Sequence, residues 1–563
     1  MSAITVAFLI TFALLIVCSI NYAVANFTYS YETSREHGEG LCLPTYPAFI
    51  PYFGSTASLL WDTAGFVRRA AVQKGKLTSV AVNFMGFKLY LFQDRETIGK
   101  FMRHPDLCSP MSLYIYALKH FFGMPHKALS VYLADDSGPH RRPLPGTNVN
   151  FRIDYELHQS FARAWSGPGL INTTQRFRRA FQSRIDGLSV IPATSWLHVS
   201  DFLQFFQKIT SASMTEAIFG SALLQLNPGF IDDLWVYDSG LPWMARGIPS
   251  FLMPGPYRVR DRLRAQIKIW QAYTRDSRRR YDGSTDDENS SASDVVRCLE
   301  ELFTNAQTHD EEALSAHNLA MIFAANFNLV PSALVAALHI ICVPGLMQLV
   351  REEISANFAE GSVGDVKNIE PKKILELPLL SSIYAESLRL HVKIFFFASS
   401  PRSDASMGKW KLPRGTLGLV NTDGPHTEED FWNTQNGRYP LDSFWAERFI
   451  VDPQDPSSGP LHPRLRSQKQ DENKMISHSG NSSKHFTTEG IGDSWIPYGG
   501  GPAICPGRFL TRYVVMFLCA ALVSEFDIEP IGQPNIQELD LWRYGLGVLR
   551  PKSPVPVRIR RRN

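Results

Sequence analysis

Trp495-Ile-Pro-Tyr498-Gly-Gly-Gly501-Pro-Ala503-Ile-Cys505-Pro-Gly507-Arg508 decides how this chain is read, and a mostly apolar, helix-like run from Phe509 to Val523 follows it at once. One cysteine sits among four glycines and three prolines. Glycine permits positive φ and close backbone approach, while proline stiffens the turn. Such a loop can hold a thiolate out toward something flat and large. The opening of the following helix, with unpaired N–H groups and a positive dipole end, is expected to lower the thiol's pKa.

In their order and spacing, Tyr498, Gly501, Cys505 and Gly507 resemble the haem-binding loop of a cytochrome P450. That resemblance implies a mainly α fold with small β-sheets, iron protoporphyrin IX (haem b) as cofactor, and Cys505 as its proximal metal ligand. Ala503 stands where the family usually carries Arg or His, so one propionate contact is missing.

Bulk properties are those of an ordinary large globular protein. The 563 residues are 44% hydrophobic and 20% charged with a formal net charge of +3, which leaves no nucleic-acid footprint. Seven scattered cysteines show no CxxC pair or zinc spacing, and this suits a reducing compartment.

No charged residue precedes Glu32, and Ala3 to Ala25 is apolar enough to span a bilayer as a helix. The rival reading is a cleaved secretory signal ending at Ala23-Val-Ala25. Basic residues follow the run and none precedes it, which favours an anchor with the body in the cytosol. Pro44, Pro47 and Pro51 then stiffen a hinge, as in microsomal members of the family. The expected divisions are an anchor (1–25), a proline-rich hinge (26–60) and a catalytic domain (61–563), held at the endoplasmic reticulum by a single pass. The sequon at Asn26 lies beside the membrane, and those at Asn172, Asn289 and Asn481 would stay bare in the cytosol.

Alternation around Leu77–Phe84 and Phe87–Phe92 predicts a hairpin. The aromatic-rich segment Met111–Leu133 corresponds by resemblance to the family's pocket cover, with core packing as the alternative account of its rings, and residues 155–280 read as mostly helical. Glu311 to Cys342 reads as one long helix. In the family this helix crosses the distal haem face and carries an acid followed by Thr; here both are absent. Asn328, followed by Pro331, resembles instead the branch of sterol 7α-hydroxylases and prostacyclin synthase. Pro331 lacks an N–H and would free the Phe327 carbonyl, so a carbonyl and an amide could hold water near iron. Asn326 is the fallback if the register is shifted.

Glu386 and Arg389 fall one helical turn apart. With Arg448 they resemble the family's buried charge network, tolerable only if fully paired. Lys393–Ala398 is expected as a strand beside the haem, Arg402 as the stand-in for the lost propionate contact, and Trp410–Leu412 with Leu417–Val420 as a strand pair. Residues 452–492 read as a surface insertion, and Arg558–Arg562 as a solvated tail. The resemblance implies oxygen insertion into an apolar small molecule, with dioxygen as co-substrate and NADPH electrons delivered by a membrane-bound reductase. Filamentous fungal members of this type oxidise terpenoid, steroid-like or polyketide secondary metabolites. The alternatives are an oxygen-independent haem isomerase or dehydratase and a non-catalytic haem or sterol-binding protein.

Overall fold

Long amphipathic and apolar runs make helix the dominant element, and short β-branched and aromatic segments supply the sheets. The computed structural model describes residues 3–34, 40–73, 76–144, 146–147, 152–280, 292–305, 310–358, 371–465 and 483–562. Most of the loop expected over 282–294, the middle of the 452–492 insertion and the sequons at Asn289 and Asn481 lie outside the described residues.

The helices that bear on the site are α1 (Ala3–Ser34), α2 (Met111–His120), α3 (Ile153–Ala164), α4 (Glu311–Asn326), α5 (Leu329–Cys342), α6 (Pro378–His391) and α7 (Arg508–Glu525). Apolar α1 has its 18-residue core window wholly unburied. It runs nine residues past the expected anchor boundary and is held where it meets the body. Asn21 Nδ2 donates to the Ala48 carbonyl at 3.0 Å, and the rings of Tyr29 and Tyr46 meet edge to face at 5.7 Å. From residue 40 the described proline-rich segment holds no helix until Thr56.

Five strands form the main sheet: β1 (Val80–Phe84), β2 (Phe87–Phe92), β3 (Val392–Ser399), β4 (Leu417–Asn421) and β5 (Leu546–Val548). Their order is β5-β3-β4-β2-β1, and β4 runs parallel to β2 while the other neighbours are antiparallel. The β1–β2 hairpin and the strand over Lys393–Ala398 match the sequence reading. The pair expected between Trp410–Leu412 and Leu417–Val420 does not form. Trp410–Leu412 pairs with Ala405–Met407, whereas β4 is drawn between β3 and β2. The basic C-terminal run is no solvated tail either. Val557–Arg561 is the central strand of a three-stranded sheet, with Val557 and Ile559 buried and Arg558 and Arg560 paired to Glu529 and Asp527.

The expected single long helix is broken. Helix α4 stops at Asn326 and α5 starts at Leu329. Pro331 occupies the first turn of α5, where a missing N–H costs no intrahelical bond, and the ladder resumes with Ser332 N donating to the Asn328 carbonyl at 3.0 Å. Helices α5, α6 and α7 pack into one core around the cysteine loop.

Candidate active site

The loop that carries Cys505 is shaped by contacts that only glycine permits. Gly501 has φ of +62°, and a Cβ there would stand 1.7 Å from the Met102 carbonyl oxygen. Gly499 has φ of +73° with its α-carbon against Phe396. Cys505 N donates to the Tyr498 carbonyl at 3.0 Å and closes the turn. The Cys505 sulfur accepts from the Gly507 N–H, and Arg508 lies close. The expected lowering of the thiol pKa is nevertheless overturned. Burial is the largest influence and pushes the Cys505 thiol up, outweighing the Gly507 N–H and Arg508.

Helix α6 supports the loop from behind. Trp495 Nε1 donates to the Ala385 carbonyl at 3.1 Å, and the hydroxyls of Tyr384 and Tyr498 share a hydrogen bond of 2.7 Å. Glu386, Arg389 and Arg448 come together with no exposure at all. Arg389 grips the Glu386 carboxylate through two bonds of 2.7 and 2.8 Å, and Arg448 Nε adds a third at 2.9 Å. Remaining donors reach the carbonyls of His426 and Asn433. Both arginines outweigh desolvation and hold the Glu386 carboxyl below its usual range.

His426 joins this network to the loop, a link absent from the sequence reading. Its Nδ1–H donates to the Arg389 carbonyl at 3.1 Å and its Nε2 accepts from Ile496 N at 3.1 Å. That bonding requires a neutral ring, in keeping with burial pressing its pKa down. No local motif marks His426; only its place beside a buried charge cluster does.

Above the sulfur lies a cavity of about 370 Å³, bounded on the far side by α4 and α5 through Ala324, Ala325 and Asn328, and along one side by α3 through Asp154, His158 and Phe161. Ile394 and Phe396 of β3 close the opposite wall. Asn328 thus faces the cysteine loop. Its Oδ1 accepts from Val548 N at 3.2 Å, so Nδ2 is the end left to donate into the cavity. Gly547, at φ of +146°, makes this possible: a Cβ there would lie 2.0 Å from Asn328 Oδ1. Pro331 is buried behind it. Asn326 points into the core, where Nδ2 donates to the Ile322 carbonyl at 2.9 Å. Arg402 is not in the cavity wall; it pairs with Asp136 at 3.2 Å because the strand carries it past the loop.

A haem suits this cavity on the chemistry of its walls. Its lining includes the Cys505 sulfur, the small side chains of Ala324 and Ala325, and a buried orphan, Asp154 Oδ2. A second, mostly apolar cavity of about 590 Å³ adjoins it. Tyr114 and Phe396 line both, and Tyr116, Phe121, Leu59, Phe84 and Phe87 line the larger one.

No protein-family model matches the chain. It is 29% identical to the cytochrome P450 monooxygenase efuG of Hormonema carpetanum, over 92% of this chain and 90% of that one. It is also 29% identical to the cytochrome P450 monooxygenase fsoE of Humicola fuscoatra, over 98% and 95%. Cytochrome P450 7A1 of Rattus norvegicus is 22% identical over 70% of this chain and 73% of its own. The fold matches retinoic acid bound cyanobacterial CYP120A1 with a TM-score of 0.60 at 14% identity, covering 94% of this chain and all of that one.

Proposed function

We propose a substrate class and a set of residue roles for this chain, which is a haem-thiolate monooxygenase of the cytochrome P450 superfamily. Such enzymes use haem, an organic substrate, dioxygen and a redox partner. The reaction here is insertion of one oxygen atom into an apolar small molecule of terpenoid, steroid-like or polyketide type. Substrate C–H, dioxygen, two electrons and two protons yield C–OH and water. The observation that carries the substrate class is the second cavity, whose polar lining is sparse beside the Phe and Leu side chains that dominate it. A flexible polar substrate would lose its hydration there without repayment.

Cys505 is the metal ligand in this reading, and Tyr498, Gly501 and Gly507 shape its loop. Glu386, Arg389 and Arg448 hold the loop's support rigid, as a fully paired buried cluster can. When bound, haem supplies oxygen activation. The chain supplies a dry, shaped site and an amide donor at Asn328 Nδ2, positioned by the helix break before Pro331, to hold water or the substrate. Without an acid–Thr pair on α4, protons arrive through ordered water at that amide. Arg402 has no part in the site.

Electrons come from NADPH through a reductase, and α1 anchors the enzyme by a single pass in the endoplasmic reticulum membrane with its body in the cytosol. The proposed divisions are an anchor (1–25), a hinge (26–60), into which the first helix reaches, and a catalytic domain (61–563). Tyr52, Phe53 and Trp61 are exposed beside α1 and support membrane contact. Leu59 and Leu60, near Trp61 in sequence, line the apolar cavity.

Co-expression with a fungal reductase tests the reading. Apolar candidates are screened for a substrate-induced spectral shift and a product heavier by one oxygen, formed only with NADPH. Cys505→Ser should abolish the thiolate-type carbon monoxide spectrum. An unchanged spectrum, or product formed from a peroxide substrate without NADPH, overturns it.

A further inference from the structure

The loop cation that usually meets a haem carboxylate is replaced by Ala503, and Arg402 is tied to Asp136 outside the cavity. Two propionates must still find polar partners. Much of the cavity's remaining polar wall is already engaged, although Trp165, which also lines it, has its Nε1 buried without a partner. Tyr498 bonds Tyr384, Ser332 Oγ donates to the Asn328 carbonyl, and Asn328 Oδ1 takes the Val548 N–H. The side formed by the first turns of α3 differs. Asp154 and His158, four residues apart and so on one helical face, both line the cavity with the sulfur of Cys505. Ser109 donates to the Asp154 carboxyl, and Oδ2 is buried without a partner. A buried polar atom with no partner costs free energy, and this one belongs to a residue that lines the cavity.

We propose that Asp154, in its protonated form, donates a hydrogen bond from Oδ2 to a propionate of the haem, taking over the anchoring task that Ala503 cannot perform. Two carboxyl groups facing each other share one proton, because both cannot ionise at contact distance. At low pH the proton stays on the pair, on raising the pH it leaves to solvent, and no bond other than the hydrogen bond is made or broken. The inference rests on the haem reading of Cys505.

The surroundings favour the acid form. Burial, followed by the neighbouring Asp135 carboxylate, pushes the Asp154 carboxyl up to about 6, against the opposing pull of Ser109 and Arg152. Asp135 is fixed beside it, since its Oδ2 accepts from Asp154 N at 2.9 Å. The other titratable groups facing Asp154 are Tyr114, Tyr132 and Cys108, all raised and neutral at ordinary pH. Along the helix, His158 is held below its usual range by burial and Arg508. The hydrogen bond is therefore complete below the pH at which Asp154 titrates and is lost as pH rises through it.

Haem transfer from the holoenzyme to apomyoglobin tests this between pH 5.5 and 8. Wild type should release haem about tenfold faster at the upper end, the loss of one charge-assisted bond. Asp154→Asn, which keeps a donor but cannot ionise, should release it slowly across the whole range. Resonance Raman modes of the propionates should shift with pH in the wild type and stay fixed in the variant. Equal pH dependence of release in the two proteins overturns the proposal. A variant that alters only the substrate-induced spectral shift overturns it too, by assigning Asp154 to the substrate. The carbon monoxide spectrum separates the two levels. A normal thiolate spectrum with pH-independent release sinks Asp154 alone, whereas a chain without haem sinks both.

Discussion

Replacing Gly547 with Ala should disable the distal amide while leaving the cysteine loop untouched. The new Cβ would sit 2.0 Å from Asn328 Oδ1, and ordinary contact begins at 3.4 Å, so the amide must withdraw or turn. Either movement breaks the 3.2 Å bond from Val548 N and leaves that N–H without its acceptor. An orphaned buried donor costs about 1–3 kcal/mol of folding stability, read as a lower denaturant midpoint, and loss of one hydrogen bond from the Asn328 amide to the transition state, about 0.5–1.5 kcal/mol, makes roughly a 2- to 12-fold loss in kcat/KM. The φ of +146° adds backbone strain to any side chain. The assay is the initial rate of product formation against substrate concentration, with the carbon monoxide spectrum as control; that spectrum should be unchanged. The same substitution made in an Asn328→Ala background meets no amide, so only the backbone cost remains and the two losses combine to less than their sum. Fully additive losses, or wild-type turnover by Gly547→Ala with its spectrum intact, would refute the link between Gly547 and Asn328.

Glu386→Gln strands two buried guanidinium groups and should lower stability by about 3–5 kcal/mol, read as a fall in denaturant midpoint and in haem content. The same carboxyl has its folded-state pKa depressed, so its contribution is present above the unfolded value and lost as pH falls below it. Wild-type stability should therefore drop on acidification more steeply than that of the Gln variant, and equal slopes would count against the network. Gly501→Ala drives a methyl to 1.7 Å from the Met102 carbonyl oxygen and should give protein that folds with little haem; full haem occupancy would show that the loop can move.

Much of this site was legible because its parts are local. The cysteine loop announces itself through glycine and proline spacing, and the Glu386–Arg389 pair through one helical turn. Arg448 is 59 residues beyond Arg389 and was legible only through family resemblance. What stayed hidden depends on long-range packing. His426, Gly547 and Asp154 meet the loop or the cavity from separate parts of the chain, and no spacing marks them. The Trp410–Leu412 pairing was misread because strand partners follow sheet order rather than sequence proximity. The terminal Arg run was misread for a different reason: Val557 and Ile559 alternate with arginines, a period-two signal that its charge obscured. The Cys505 thiol went the wrong way because a helix terminus is readable from sequence and depth of burial is not.

The grip between the first helix and the body has a geometric corollary. At 32 residues, or about 48 Å of rise, this helix outruns a hydrocarbon layer of about 30 Å, and the clamps at Asn21, Tyr22 and Tyr29 seize the surplus length. As the proposed anchor, the helix would work as a keel rather than a tether, fixing the heading of the enzyme as well as its height. Each residue inserted ahead of Asn21 turns the membrane-embedded end by about 100° relative to the hull, so sequence upstream of the fold sets which flank of the protein is turned toward the lipid.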